Sequence, residues 1–328
     1  MVIDSRTDRL VASLKLGVVP RQALVSLGEA LLIATDEISA SIVDLETAEL
    51  RGVELPHPAQ RLTLGGSGWL LAVADLAGSI SLLDLRRRRV LWRLDGLGRL
   101  RDLMFVDQDG LLYLAGERWA GVGVVDVNTG RLTGEIAPFR PASAGGAASL
   151  ARTPNGRQAV MCSLDGGAPT IIDLESGVAV GELAEAEGAD AVVPSGTGQF
   201  LFAPDSRRAR LRIFRAAAAS PAILLDAAPA MTGVHCTWLD STAFAPSAAQ
   251  RRVLVYDLDR LSAVGSIALP GAPGPGSVTA DSRKLYLPLN GPAGLAVIDG
   301  QTRTLLGTIP LPSEPLAAIV PGGWGVCH

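Results

Sequence analysis

One short pattern repeats along the chain and constrains its fold more than any other feature. Two or three apolar residues precede an Asp, and a polar turn and a second apolar stretch follow it. The copies end at Asp4, Asp44, Asp84, Asp126, Asp173, Asp257 and Asp299. Their spacing is 40 to 47 residues except for one interval of 84, which holds a degraded copy at 211–214. These eight copies at a nearly fixed period indicate a repeat architecture.

Each repeat predicts four short strands. The Asp can accept hydrogen bonds from the N–H groups of the turn that follows it, so we interpret it as a turn-forming residue. Upstream of the Asp lies a second apolar–turn–apolar pattern, as in 149–164 and 278–289. Four antiparallel strands in about 40 to 45 residues make one blade of a β-propeller. We find no long amphipathic stretch with a helical period, so we expect no helices between the strands.

The predicted fold class is therefore all-β, a single eight-bladed β-propeller domain over 1–328. The chain starts with the last two strands of a repeat (1–16) and stops after the first two of another (315–328). Pairing them into one composite blade would close the ring and cover the exposed sheet edges, with Gly325 to His328 in a strand. The other predicted blades are approximately 17–55, 56–95, 96–136, 137–183, 184–225, 226–269 and 270–311. Seven blades is the alternative, if 184–225 is an insertion.

The repeat resembles a known family. The Asp-turn pattern, TPNG at 153–156 and LYLPLNG at 285–291 are similar to the bacterial YVTN β-propeller repeat proteins, over essentially the whole chain. The strand that gives this family its name persists loosely, at 285–288 and 112–115. Members of this family include binding proteins, lactonase-like and lyase-like enzymes, and cofactor-linked dehydrogenase subunits. The resemblance thus implies the fold and leaves the function open.

Composition and charge exclude several classes of protein. Apolar residues make up 48% of the chain and charged residues 19%, which is typical of a well-buried globular protein. The net charge of -4 gives no reason to expect nucleic acid or an anionic membrane as a partner. We interpret the run Arg86 to Arg89 as a solvated turn. Three cysteines argue against a disulfide framework.

No apolar run is long enough for a transmembrane helix. The first residues read as a strand and a turn rather than a signal peptide. We therefore expect a soluble, cytoplasmic protein, or a periplasmic or secreted one if a leader was trimmed.

The first strand of each blade lines the channel of a propeller and is the place to search for a site. Aligning these strands by the turn that follows them gives one row: Gln22, Gln60, Leu103, Leu150, Asp190, His235, Gly276 and Ala317. Its polar members form two neighbouring pairs, and Arg61 follows in the next register. We predict Gln22, Gln60 and Arg61 as ligand-binding residues.

The second pair carries the catalytic hypothesis. A carboxylate beside an imidazole orients it and raises its pKa, so Asp190 and His235 would suit a general base or a metal site. A buried, hydrogen-bonded polar pair is the structural alternative.

A divalent metal is a further candidate cofactor, with His235, Cys236 and His328 as ligands. Neighbours on a strand point to opposite faces, so neither His235–Cys236 nor Cys327–His328 can offer both side chains to one ion. A Cys/His site also needs about four convergent ligands. We interpret His57, between two prolines, as a loop residue.

Three functions remain open. The first is a propeller that binds a small molecule or a protein partner at one face, with the site at the central channel. The second is a lyase- or lactonase-like enzyme that uses His235 and Asp190, and the third is a metal-handling protein. The sequence contains no nucleophile elbow, phosphate loop, paired zinc motif or redox cysteine pair, which favours the first.

Overall fold

The structure is a computed structural model that describes residues 1–26, 31–36, 38–140, 146–189, 191–216, 223–237, 239–279 and 281–320. In this part of the chain, 31 β-strands and one turn of 3-10 helix (Ala184–Ala186) form the regular secondary structure. Consecutive strands pair antiparallel into seven blades of four strands, in one of which the first strand is split into two short pieces. The fold is an all-β propeller, as predicted, with the seven complete blades of the alternative.

The chain divides into two compact units. The four-blade unit comprises residues 15–150 and 156–183. Its strands are β3 (Gln22–Ser26), β4 (Leu31–Thr35), β5 (Ser39–Asp44), β6 (Leu50–Glu54), β7 (Arg61–Leu64), β8 (Leu70–Ala74), β9 (Ile80–Asp84), β10 (Arg89–Leu94), β11 (Leu100–Val106), β12 (Leu111–Gly116), β13 (Val122–Asp126), β14 (Arg131–Ile136), β15 (Ala147–Arg152), β16 (Gln158–Ser163), β17 (Thr170–Asp173) and β18 (Val178–Glu182).

The three-blade unit comprises residues 1–14, 151–155 and 184–328. It begins with a hairpin of β1 (Val2–Asp4) and β2 (Arg9–Ala12). Its blades contain β19 (Val193–Pro194), β20 (Phe200–Asp205), β21 (Arg210–Arg215), β22 (Ile223–Asp226), β23 (His235–Cys236), β24 (Thr242–Ser247), β25 (Arg252–Asp257), β26 (Ser262–Ala268), β27 (Ala272–Pro273), β28 (Ser277–Val278), β29 (Lys284–Asn290), β30 (Gly294–Asp299) and β31 (Thr304–Pro310).

The repeated Asp ends the third strand of its blade and builds the turn to the fourth. Asp126 shows the arrangement: its carboxylate accepts hydrogen bonds from Thr129 Oγ1 at 2.8 Å and from Thr129 N at 2.7 Å. These bonds hold the pKa of Asp126 below its usual range. Gly130 follows with φ +66°, a conformation that glycine adopts at little cost. The Asp is therefore structural, as the sequence predicted.

Burial differs systematically among the strands of a blade. Every residue of β8 and β9 is buried, whereas only Ile136 is buried in the fourth strand β14. Apolar side chains of neighbouring blades share one cluster, in which Leu82 of β9 packs with Leu114 of β12. The hydrophobic core of the four-blade unit thus lies between its blades, and its fourth strands form the exposed edges.

The degraded repeat forms a complete blade rather than an insertion. Residues 211–214 lie in β21, the third strand of the sheet β19–β22. The incomplete copy is instead the first one, because Asp4 ends β1 and the described residues give that copy only the two-stranded sheet β1–β2.

The N-terminal hairpin is fastened to the blade β27–β31. Lys284 Nζ lies 2.8 and 2.7 Å from the two carboxylate oxygens of Asp8, and Tyr286 donates its hydroxyl to the same carboxylate at 2.5 Å. Ile3, Ala318 and Val320 pack against one apolar cluster of this blade. Residues 315–320, expected to begin the composite blade, form no strand. Residues 321–328, including the predicted strand Gly325 to His328, lie outside the described residues, so the composite blade stays a prediction.

No helix within the described ranges has the length and apolar character needed to cross a membrane.

Candidate functional site

Three polar side chains occupy one register position on the first strands of successive blades. Gln22 pairs with Thr35, Arg61 with Ala74 and Asp102 with Ala115. Each of these partners lies four residues after the second-strand residue that pairs with the repeat Asp. We call Gln22, Arg61 and Asp102 the first-strand row. All three belong to the four-blade unit, where β7 contacts both β3 and β11.

The residues of this row differ from those predicted by aligning the first strands in the sequence. Gln60 lies one residue before the row, and Leu103 lies one residue after Asp102. Alignment by the following turn cannot fix the register, because these turns differ in length: six residues separate Leu64 from its partner Leu71, whereas four separate Val106 from Leu111. A one-residue slip moves a side chain to the opposite face of its strand.

Each member of the row reaches the backbone of the next first strand. Gln22 Nε2 donates to the carbonyl oxygen of Gln60 at 3.1 Å. Arg61 Nε donates to Arg101 O at 2.6 Å, and Asp102 accepts a hydrogen bond from Leu150 N at 2.7 Å. These bonds hold the side chains in fixed positions and link the four blades of this unit.

Asp102 is the member with the most altered acidity. It is partly buried, and desolvation raises the pKa of its carboxyl to about 6. Hydrogen bonds from Leu150 N and Leu103 N and the charge of Arg61 act in the opposite direction and only partly offset the burial. Sequence reasoning missed this residue. The signal was an Asp directly before the apolar run Leu103–Val106, since a carboxyl group in a partly buried strand needs a partner or a function.

Arg61 is exposed but not freely rotating. Its Nε–H bonds Arg101 O, and Nη1 donates to Gln60 O at 3.3 Å. The neighbouring Arg101 instead pairs with a carboxylate, at 2.6 Å from Glu117. The row therefore presents an amide, a guanidinium and a titratable carboxyl on adjacent strands.

His235 lies in the three-blade unit on β23, opposite Phe244. This is the register position of Leu24 and Met104, two residues further along the strand than the row. The imidazole is 2% exposed and packs beside Gly233, where a Cβ atom would come within 3.3 Å of Nε2. The predicted partner Asp190 lies outside the described residues, so the catalytic pair remains a prediction.

Cys236 points away from His235 into an apolar cluster that includes Val193 and Tyr256. His328, the third predicted metal ligand, lies outside the described residues, as does Cys327. The ranges that the structure does describe contain no group of three His, Cys, Asp or Glu side chains arranged to hold a metal. The metal hypothesis therefore gains no support from Cys236 and stays a prediction.

His57 lies in the loop between β6 and β7, as expected, but it is buried and carries a polar network. Its Nε2 is 3.1 Å from Ser81 Oγ, and its Nδ1 is 3.9 Å from Asp75 Oδ2. The chain of contacts from a serine to a histidine to an aspartate resembles that of a catalytic triad. However, Nδ1 is closer to Pro58 O, at 3.3 Å, and Ser81 is fully buried. The network ties the loop to the β8–β9 hairpin, a structural role.

The fold is shared with solved structures of low sequence identity. The hydrazine synthase of Kuenenia stuttgartiensis matches 85% of this chain and 95% of its own, with 15% identity and a TM-score of 0.61. The dihydro-heme d1 dehydrogenase NirN in complex with DHE matches 90% of this chain and 76% of its own, with 13% identity and a TM-score of 0.57. At this identity the similarity concerns the fold alone.

No protein-family model matches the sequence, and no curated protein matches it either.

Proposed function

We propose that this chain is a bacterial propeller of the YVTN repeat type that binds a small polar ligand, or a polar group of a partner, along its first strands at the central channel. One observation carries the proposal: three polar side chains of different chemistry share one register position on three successive first strands. Packing of these strands does not need polar residues at the row. The opposite face, one residue further along each strand, is apolar and holds Ala23, Leu62 and Leu103.

The side chains of the row are also preorganised, as a binding site requires. They are held by bonds to backbone groups of the next strand, so little conformational entropy is lost when a ligand arrives. Arg61 is exposed and Asp102 partly so, which leaves the row accessible. Positioned polar groups of different chemistry on neighbouring first strands are typical of a binding site and favour binding over covalent chemistry.

A ligand screen tests this proposal. The change in melting temperature would be measured with a library of small polar molecules for the native chain, Arg61→Gln and Arg283→Gln. Arg283 is a matched control because it is exposed, pairs with Asp281 at 3.7 Å and lies outside the four-blade unit that contains the row. We expect ligands that stabilise the native chain and Arg283→Gln but not Arg61→Gln. Ligands whose effect is the same in all three proteins would contradict the proposal.

The burial of His235 beside Gly233 supports a second candidate, a lyase- or lactonase-like enzyme that uses His235 and Asp190. A small residue that makes room for an imidazole is compatible with a positioned base. His235→Gln keeps a similar volume and removes the base. If lactone hydrolysis or elimination occurs in the native chain and is lost in the folded variant, the enzyme hypothesis gains over simple binding.

A further inference from the structure

We propose that the first-strand row binds an anion, such as a small carboxylate or sulfonate, through the guanidinium of Arg61. The inference rests on the proposed function and names the chemical class of its ligand. The orientation of Arg61, the charges around it and the neighbouring groups on β3 and β11 support this assignment.

The guanidinium of Arg61 is positioned rather than neutralised. Two of its nitrogen atoms donate to carbonyl oxygens, Nε to Arg101 O and Nη1 to Gln60 O. Carbonyl acceptors orient the planar fork without cancelling its charge. Among the described residues no carboxylate lies within ion-pair distance of Arg61, whereas the neighbouring Arg101 is paired with Glu117. The remaining N–H donors of the fork are therefore available to a carboxylate or sulfonate, which match its geometry.

The neighbouring groups complete a donor-rich site. Gln22 Nε2 uses one hydrogen for Gln60 O and retains a second one for a ligand. Glu117 pairs with Arg101, which leaves Arg61 as the positive charge of the row itself. Asp102 is the one member that would repel an anion, and it does so only when it is ionised.

Asp102 therefore makes anion binding depend on pH. The charged groups that face it or lie on the strands beside it are Arg61 on β7, Arg101 on β11, Arg152 on β15 and Glu117 after β12. When the Asp102 carboxyl is protonated, the site has one net positive charge. When it is ionised, its charge offsets that of Arg61, and affinity for an anion falls.

The probe is 1,2-ethanedisulfonate, which stays fully ionised between pH 4 and 8, so any change with pH comes from the protein. Its affinity would be measured by calorimetry at constant ionic strength, at pH 5 and at pH 7.5. We expect tighter binding at pH 5, a loss of about tenfold or more in Arg61→Gln, and native affinity in Arg283→Gln. Asp102→Asn should bind equally at both pH values. Arg61→Lys keeps the charge without the fork and should fall between the native chain and Arg61→Gln.

The outcomes separate the two proposals. Unchanged affinity in both folded Arg61 variants would overturn the anion proposal. If neutral polyols depend on Arg61 and Gln22 while no anion binds, the proposed function stands and the anion proposal fails. If no ligand of any charge depends on the row, both fail.

Discussion

The acidity of Asp102 is set by its surroundings. Its pKa of about 6 in the folded chain lies above the value of an exposed aspartate, because burial disfavours the charged form. Protonation therefore favours the folded state. The stability that this carboxyl supplies is fully present below about pH 4 and is lost as the pH rises through about 6.

The direction of this pH dependence of stability gives a prediction for Asp102→Asn. The variant cannot ionise, so between pH 4 and pH 7.5 its free energy of unfolding should rise by about 2 kcal/mol relative to the native chain. Any loss of hydrogen bonding to Leu150 N is the same at both pH values and cancels in the comparison. Urea unfolding at the two pH values measures the difference. Asp281→Asn is the control, because the pKa of Asp281 is lowered by the hydroxyl of Thr279 and the sign should reverse. A pH-independent difference for Asp102→Asn would contradict the account.

A second prediction at this scale concerns Gly78. Its φ is +86°, and an added Cβ would lie 2.4 Å from the carbonyl oxygen of Gly98. Gly78→Ala should lower the free energy of unfolding by about 1 to 3 kcal/mol, because both strain and a backbone clash are introduced. Gly134 has open space around its Cβ position, so Gly134→Ala should be nearly neutral. Equal thermal stability of the two variants would contradict this interpretation.

At the scale of elements, the turns between first and second strands link neighbouring blades. Asp109 in the β11–β12 turn accepts hydrogen bonds from Gly66 N at 2.7 Å and Ser67 N at 2.8 Å, both in the β7–β8 turn. Asp240 in the β23–β24 turn binds the hydroxyls of Ser195 and Thr197 in the β19–β20 turn. Hydrogen bonds between turns of neighbouring blades thus occur in both compact units.

Asp240→Ala should cost more stability than Asp109→Ala. Asp240 is 2% exposed and Ser195 is fully buried, so truncation leaves a polar group without water, at a cost of about 1 to 3 kcal/mol. Gly66 and Ser67 are exposed, and water can replace Asp109. Asp240→Asn is the control, because it retains an acceptor and tolerates the φ of +51°. Chemical unfolding of the three variants measures the order, and a larger cost for Asp109→Ala would contradict it.

The elements also show what the sequence can and cannot predict. The third strand and its turn were predictable because the Asp side chain bonds to residues two or three positions away, a signal contained in the local sequence. The first strands carry no such marker. The unequal turns after β7 and β11 and the two-residue length of β23 left their register open, and the polar row with Asp102 became apparent only from the pairing.

At the scale of the whole molecule, the N-terminal hairpin has the character of an unfinished blade. Asp4 ends β1 as the other repeat Asp residues end their third strands, and β2 follows as a fourth strand. The hairpin is fastened by Asp8 to Lys284 and Tyr286. Ala318 N donates to Pro275 O at 3.2 Å, so the chain after β31 passes beside the first-strand region of the preceding blade.

The composite blade predicts the effect of a truncation. A chain that ends at Val320 should melt at a lower temperature, and the amides of β1 should exchange with solvent faster, because an edge of β1 would lose the partner strand predicted in 321–328, outside the described residues. Hydrogen exchange followed by mass spectrometry measures this peptide by peptide. The fourth strand β18, far along the chain, serves as the internal reference. Unchanged exchange in β1 would contradict the composite blade.

The proposed anion-binding row on the first strands of the four-blade unit can be tested with an experimental density map of the protein crystallised with 1,2-ethanedisulfonate at pH 5. We expect sulfonate density within hydrogen-bond distance of the Arg61 guanidinium and beside Gln22. Density at other arginines, such as the exposed run Arg86 to Arg89, with none at Arg61, would contradict it.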